Sequence, residues 1–388
     1  MPKILLAALP INGVFTATEA ASQLTRLIRA HDRTLANDDV VQIPLVDGGD
    51  GTIDFLVTHS LGSFLEVEAT GGKGDEVVVP LGFAGEDGKL AVIELARVAN
   101  VGHIGGGGTT FGIGELIRDS LDEGAFSVLL GHEEPLAADA GLGAVAALGV
   151  KFLNAEGWPI VMNQPNVALS DICAVDAAGR SFELLSSRFF VGRAQSAASS
   201  APTRELLAEL ERLSAIFLRD ASIHASTKTL SASAVEFGLR AFLGAEVRDG
   251  GELVLEASRV LEAVASGDFE TLFLFANDQG QLAASHVQML LTGSAGQIKH
   301  VVVIFSKSLE QGEGALVPSG AVCHSLQDVK LFQAPVLEGA SAETIRRDLL
   351  MRLEKLVPKL MAARAKPDVT ADTTSVPKSS RRNGKREL

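Results

Sequence analysis

Residues Ile4 to Leu9 form an unbroken apolar run that stops at Pro10, and the sequence Thr16-Ala-Thr-Glu19 follows after one short loop. A short apolar run without polar alternation is what a strand needs when both its faces are covered. In a Thr-x-x-Glu box the two side chains satisfy each other's free amides at a helix N-terminus. Ala20, Leu24, Leu27 and Ile28 then recur at helical spacing. Strand, loop and helix in that order open a parallel α/β sheet.

The same punctuation returns along the chain. Val40 to Leu45 is expected as a strand closed by the turn Asp47-Gly-Gly-Asp-Gly51, and Leu90 to Leu95 as another, followed by a bent loop at Gly105 to Gly108. Glu115 to Leu121 is expected as a helix stopped by Gly124 in a left-handed cap. Phe126 to Leu130 then reads as a strand, Asp139 to Leu148 as a helix ending at Gly149, and Val150 to Leu153 as a strand. Further helices are expected over Leu206 to Phe217 and Glu236 to Leu243, and buried strands over Thr271 to Phe275 and His300 to Phe305. Ile345, Leu349, Leu353, Leu356 and Leu360 stripe a last helix. Repeated units of this kind predict an α/β fold, a parallel sheet with helices on both faces.

Composition narrows the partners. A net charge of −14 argues against nucleic acid or an anionic membrane as partner of the folded part. The absence of Tyr and the single Trp argue against a base-stacking surface. No apolar run approaches the ~20 residues of a spanning helix. Cys173 and Cys323 cannot make a disulfide scaffold, and the chain is expected to be cytoplasmic. Ser196 to Thr203 reads as a surface loop. In Lys366 to Leu388 the basic residues outnumber the acidic ones, so this stretch is expected as a disordered basic tail able to contact an acidic partner.

Three places carry candidate chemistry. Asp47 and Asp50, with Gly48 and Gly49 between them, can hold a small hydroxy acid or a metal; aspartates also stiffen glycine turns on their own account. Thr109, Thr110 and Gly112 can donate to a phosphate ahead of a helix, or simply cap it. His132-Glu133-Glu134 is expected as a solvated loop, because adjacent residues do not converge on one ion and no second histidine stands at zinc spacing. Neither a Gly-x-Ser-x-Gly elbow nor a Gly-x4-Gly-Lys-Ser/Thr loop is present. Cys323 and His324 are neighbours in sequence, which does not make them a catalytic pair.

Several of these segments together resemble the glycerate kinase family, the bacterial type that phosphorylates D-glycerate with ATP. Pro44-Leu-Val-Asp-Gly-Gly-Asp-Gly-Thr52 is similar to its Pro-Leu-Ala-Asp-Gly-Gly-Glu-Gly-Thr block. Thr70-Gly71, Ile93-Glu94, Thr109-Thr-Phe-Gly-Ile-Gly-Glu-Leu-Ile117, Asp139 to Gly149, and Ala241 to Glu246 with Glu252 to Glu256 match further blocks. The resemblance implies two α/β domains with parallel or mixed sheets, one inserted in the other: 1–69 with 265–365, and 70–264. The ligand cleft would lie between them. It also implies ATP and Mg2+ as cofactors of an active member. Asp47, Gly48, Gly49, Asp50, Thr109 and Thr110 would then lie on the substrate, Gly112 and Gly114 near the nucleotide, and Asp139 would be the catalytic carboxylate.

The departures from the family pattern fall on its polar groups. Where the family opens with Asp, Ser and Lys after the first strand, this chain has Leu9, Pro10 and Asn12, with Gly13 kept. The family's Gly-Gly-Ser-Ala-Thr-Asn-Asp turn reads Glu133-Glu-Pro-Leu-Ala-Ala-Asp139, and two glutamates there oppose a triphosphate. Its glycine loop reads Leu230-Ser-Ala-Ser-Ala-Val-Glu236. A fourth block loses its charges to Asn277, Gln279 and Gln281, with Asp278 offset by one. Phosphoryl transfer depends on positioned donors and metal-holding carboxylates. The expectation is therefore a family member with weak or absent kinase activity that keeps its cleft for binding or its fold as a scaffold. The alternative is an active kinase with its catalytic groups relocated.

Overall fold

The computed structural model describes residues 3–10, 14–85, 87–102, 107–194, 201–267, 269–276, 289, 290, 292, 298, 300–305, 328–333 and 341–364. The tail 366–388, residues 196–200 of the surface loop, Gly105 and Gly106, Asn12 and Gly13, the block 277–281, and Cys323 with His324 lie outside them.

Two sheets organise these residues. The first has five parallel strands in the order β13-β12-β11-β1-β2, from β1 (Lys3–Ala8), β2 (Val40–Pro44), β11 (Phe269–Ala276), β12 (His300–Phe305) and β13 (Asp328–Gln333). The second runs β10-β9-β6-β5-β4-β3, from β3 (Ser63–Thr70), β4 (Glu76–Ala84), β5 (Leu90–Glu94), β6 (Ser127–His132), β9 (Arg188–Arg193) and β10 (Glu246–Asp249). Here β3, β4 and β5 pair antiparallel while β5, β6, β9 and β10 run parallel. The fold class is thus α/β with parallel and mixed sheets flanked by helices. The strand Ser63–Thr70 pairs along its whole length with β4 within the second sheet.

The apolar run at the N-terminus explains how the first sheet is covered. Along β1, Ile4, Leu6 and Ala8 enter one core, and Leu5, Ala7 and Leu9 enter another. Period-two alternation sends successive side chains to opposite faces, and both are apolar because both are packed. One face is closed by α1 (Ala17–His31) and the last helix (Ala342–Arg364), through Leu24, Ile28, Leu349, Leu353 and Leu360. The Thr16 and Glu19 capping box forms as expected, and Glu19 also holds Arg346 of the last helix at 2.9 Å. The opposite face meets the second sheet across α2 (Thr52–Ser60) and the helices Gly250–Ala257 and Val260–Ser266.

The far face of the second sheet carries α3 (Leu95–Ala99) and α4 (Phe111–Asp122). Gly124 ends α4 at φ 93°, in the left-handed region. The helix expected from Asp139 is shorter: α5 is Leu142–Ala147, because Ala140 and Gly141 hold φ of 58° and 76° and a helix cannot pass through them. The strand after it corrects another expectation. β7 (Lys151–Leu153) joins neither large sheet but pairs antiparallel with β8 (Ala174–Asp176). That small sheet packs with Phe152, Phe217, Phe237 and Phe242 beside the helices Arg204–Ala221 and Val235–Leu243. Among the described residues no helix is long and apolar enough to cross a membrane.

Candidate functional site

A cleft of about 390 Å³ opens beyond the carboxyl ends of β5 and β6, where ligands sit in open α/β sheets. Gly49, Asp50, Glu94, Arg97, Glu133 and Glu134 provide much of its lining. The turn after β2 thus brings the first sheet's loop onto the strand ends of the second.

The glycines of that turn are required by close approach. Gly48 holds φ +92°, and a Cβ on it would lie 2.8 Å from the Gly192 carbonyl oxygen and 2.9 Å from the Gly250 Cα. A Cβ on Gly131 would in turn lie 2.4 Å from the Gly48 carbonyl oxygen. Only backbone fits between these strands and this loop. Asp47 accepts a hydrogen bond from the Gly49 amide at 3.2 Å, stiffening the turn. Thr52 donates to the Gly49 carbonyl at 2.7 Å, and α2 starts there.

Among the described residues, Arg97 is the cation that lines the cleft, and sequence reasoning passed over it. It stands one helical turn beyond the end of β5, where Leu95-Ala-Arg97 offered only the position as a signal. Its guanidinium hydrogen-bonds the Glu94 carboxylate, lies 3.1 Å from Asp50 and reaches Asp54 at 4.0 Å. Glu94 is buried and accepts the Ile53 amide at 2.8 Å. Burial pushes its pKa up, and Arg97 offsets this only in part.

The pair Glu133-Glu134 was expected in a solvated loop after His132, and that expectation is wrong. His132 is the last residue of β6 and is fully buried; Glu134 is buried too. Its Nδ1 lies 3.2 Å from Glu236, and its Nε2 lies 3.6 Å from Glu134. Neither ring N–H is aligned for a regular hydrogen bond, so the attraction is one of charge. Burial by itself lowers the imidazole pKa, but the two carboxylates override it and hold the ring protonated, with a pKa raised to about 9. Burial opposes ionisation of Glu134 as well, yet His132 and the Ser233 amide lower its pKa to about 2. Glu236 is likewise driven well below the carboxylate range by His132 and Arg193, against its burial. Arg193 clamps Glu236 at 2.6 Å and also donates to the Thr229 carbonyl. The loop 230–236 is tied inward: Ser231 donates to Glu236 at 2.9 Å and the Ser233 amide to Glu134 at 2.9 Å.

Asp139, Thr109 and Thr110 form a separate buried group outside the cleft lining. One Asp139 oxygen accepts the Thr110 amide at 2.7 Å and the Gly143 amide at 3.2 Å. The other accepts the Thr110 hydroxyl at 2.9 Å and the Gly141 amide at 3.0 Å. Burial raises its pKa to about 6 despite these donors. Thr109 donates to the Met162 carbonyl at 2.6 Å. Asp139 and Thr110 thus hold the first amides of α5, while Thr109 accepts the Phe111 amide at the start of α4. Gly112 and Gly114 serve packing: a Cβ on either would lie 2.0 Å from a carbonyl oxygen, of Thr70 or of Ala144.

The glycerate kinase family model matches residues 4–271, most of the length that builds both sheets and the cleft. The chain belongs to the glycerate kinase family. It is 29% identical over 346 residues to a glycerate kinase of Halalkalibacterium halodurans, covering 82% of this chain and 89% of that protein. It is 29% identical over 273 residues to the glycerate 2-kinase of Escherichia coli K12, covering 63% and 70%. A crystal structure of a "putative glycerate kinase 2" from Salmonella typhimurium LT2 superposes with a TM-score of 0.70 at 22% identity, over 94% of this chain and 99% of that one. This last likeness supports the fold.

Proposed function

We propose that this glycerate kinase-family protein binds a small polar molecule in the family's cleft while transferring phosphate from ATP to D-glycerate weakly or not at all. The observation that carries this reading is the state of Asp139. As the aspartate kept in a turn otherwise rewritten, it is the carboxylate that the family resemblance offers for catalysis, yet it is 4% exposed and accepts from four internal donors. A group so saturated has no free lone pair to orient a hydroxyl.

The described residues also fit a magnesium–triphosphate poorly. No three His, Cys, Asp or Glu side chains among them converge as metal ligands. Arg97 already faces three carboxylates, while Glu133 and Glu134 occupy the turn where phosphate donors were expected. A second reading, an active kinase using ATP and Mg2+ with relocated groups, is favoured by the 29% identity across 82% of the chain.

Coupled ADP release with ATP, magnesium and D-glycerate separates the two. The first reading expects turnover below about 0.1 s⁻¹, against the ~10 s⁻¹ of a typical enzyme. Turnover near ~10 s⁻¹ overturns it.

A further inference from the structure

Two backbone amides at the head of the Asp47–Gly51 turn are taken by the chain's own carboxylates, one of which, Glu133, lines the cleft. Gly49 donates to Asp47, and Asp50 donates to Glu133 at 2.8 Å. The Glu133 oxygen that accepts this bond would lie 2.5 Å from a Cβ on Gly49, so residue 49 must be glycine for the carboxylate to lie there. A tethered group competes with any free ligand at an effective concentration on the order of millimolar or more.

Charge bookkeeping points the same way. Among the described residues, Asp50, Glu94, Glu133 and Glu134 line the cleft against the cation Arg97. Glu134 is balanced by His132, and Glu94 and Asp50 share Arg97. No ion pair among the described residues reaches Glu133. An oxyanion entering here would meet a carboxylate with no ion-pair partner among the described residues, in a half-buried setting where like charges are weakly screened.

We propose that Glu133 sets the charge specificity of the cleft, barring small oxyanions and admitting molecules that present hydroxyl or ammonium donors without net negative charge. This rests on the reading that the cleft binds a small polar molecule and does not serve to phosphorylate D-glycerate. The carboxylates supply acceptors for such donors, and Asn100 and Arg97 supply polar edges beside them.

The test compares wild type with Glu133→Gln, which removes the charge and keeps an acceptor for the Asp50 amide. Sulfate, D-glycerate and serinol, an amino-diol, serve as probes in calorimetric titrations. Sulfate and D-glycerate are expected to bind the variant at least about tenfold more tightly than wild type, and serinol at least about tenfold more weakly. Equal affinities, or tighter D-glycerate binding by wild type, overturn the proposal.

A pH series on wild type keeps the test decisive if the variant fails to fold. Burial and the neighbouring Asp47 and Asp50 raise the Glu133 pKa, while the Asp50 amide and His132 oppose the rise. Among the described residues, Asp47, Asp50, Glu94, Glu134, Arg97 and His132 are the charged groups that act on it or share its cleft, and sulfate stays anionic throughout. Sulfate affinity should rise as the pH is lowered through the raised Glu133 pKa, and an affinity that falls on acidification overturns the proposal. ADP release by wild type is scored separately. Fast turnover sinks the binding-only reading, whereas slow turnover with no gain in the variant sinks the role of Glu133 alone.

Discussion

The imidazole of His132 lies 3.2 Å from the Glu236 carboxylate, and neither side chain is exposed to solvent. With Glu134 and Arg193 they form a buried alternation of charges that ties the end of β6 to β9 and to the start of the helix Val235–Leu243. The cleft wall at Glu134 is thereby anchored to segments far along the chain.

Breaking this network from one side should be costly. Glu236→Gln leaves the His132 and Arg193 charges facing each other across a buried amide. Losing one partner of a buried pair typically costs about 3–5 kcal/mol, because the remaining charge stays desolvated. Urea denaturation should show a loss of that order. A loss below about 1 kcal/mol would mean that His132 is neutral in the folded protein.

The network also sets a pH dependence. The folded pKa of His132 is raised to about 9, above the ordinary 6.5. Folding therefore favours the protonated ring. Its contribution, on the order of 3 kcal/mol, is complete below about pH 6.5 and is lost as pH rises through about 9. Glu134 acts oppositely: its pKa is lowered to about 2, so its contribution is present above about pH 4.5 and is lost on acidification. Urea midpoints of wild type and His132→Gln should differ most near pH 6 and converge by pH 10. A gap that stays constant across that range would refute the assignment.

Local signals made much of the scaffold legible in sequence. The Ile4–Leu9 run, the Thr16–Glu19 box and Gly124 each act through neighbours a few residues away, and the structure shows a strand, a capping box and a helix stop at those places. The Asp47–Gly51 turn was legible for the same reason. The hairpin of β3 and β4 was not: Phe64, Leu65 and Val78 remain exposed, which blurs the apolar alternation that marks a half-buried strand. The fate of His132-Glu133-Glu134 was also hidden. Three consecutive polar residues look solvated until Glu236, Arg193 and Ser233 arrive from distant segments to partner His132 and Glu134.

Asp139→Ala should destabilise the protein more than it alters the cleft. The substitution strands the buried Thr110, Gly141 and Gly143 amides that now donate to its carboxylate. Each unsatisfied buried donor costs about 1–3 kcal/mol, so a total of roughly 3 kcal/mol or more is expected. Denaturant unfolding measures the loss, and serinol titration of the surviving folded protein should give an affinity within about twofold of wild type. Abolished binding in a fully stable variant would place Asp139 on the ligand instead.

Gly114→Ala puts two opposing effects in one residue. Helix propensity favours alanine over glycine by about 1 kcal/mol in a helix interior. Against that, the new Cβ would lie 2.0 Å from the Ala144 carbonyl oxygen and 2.7 Å from the Ala147 Cβ. The carbonyl belongs to α5, which cannot simply retreat: the Ala144 amide is held on Thr110, and the Gly141 and Gly143 amides are held on Asp139. Overpacking against fixed backbone costs about 1–3 kcal/mol or more, so the net effect should be a loss. Differential scanning calorimetry should record a Tm several degrees below wild type. A raised Tm would show that α4 and α5 have room between them, and that glycine at 114 serves something other than packing.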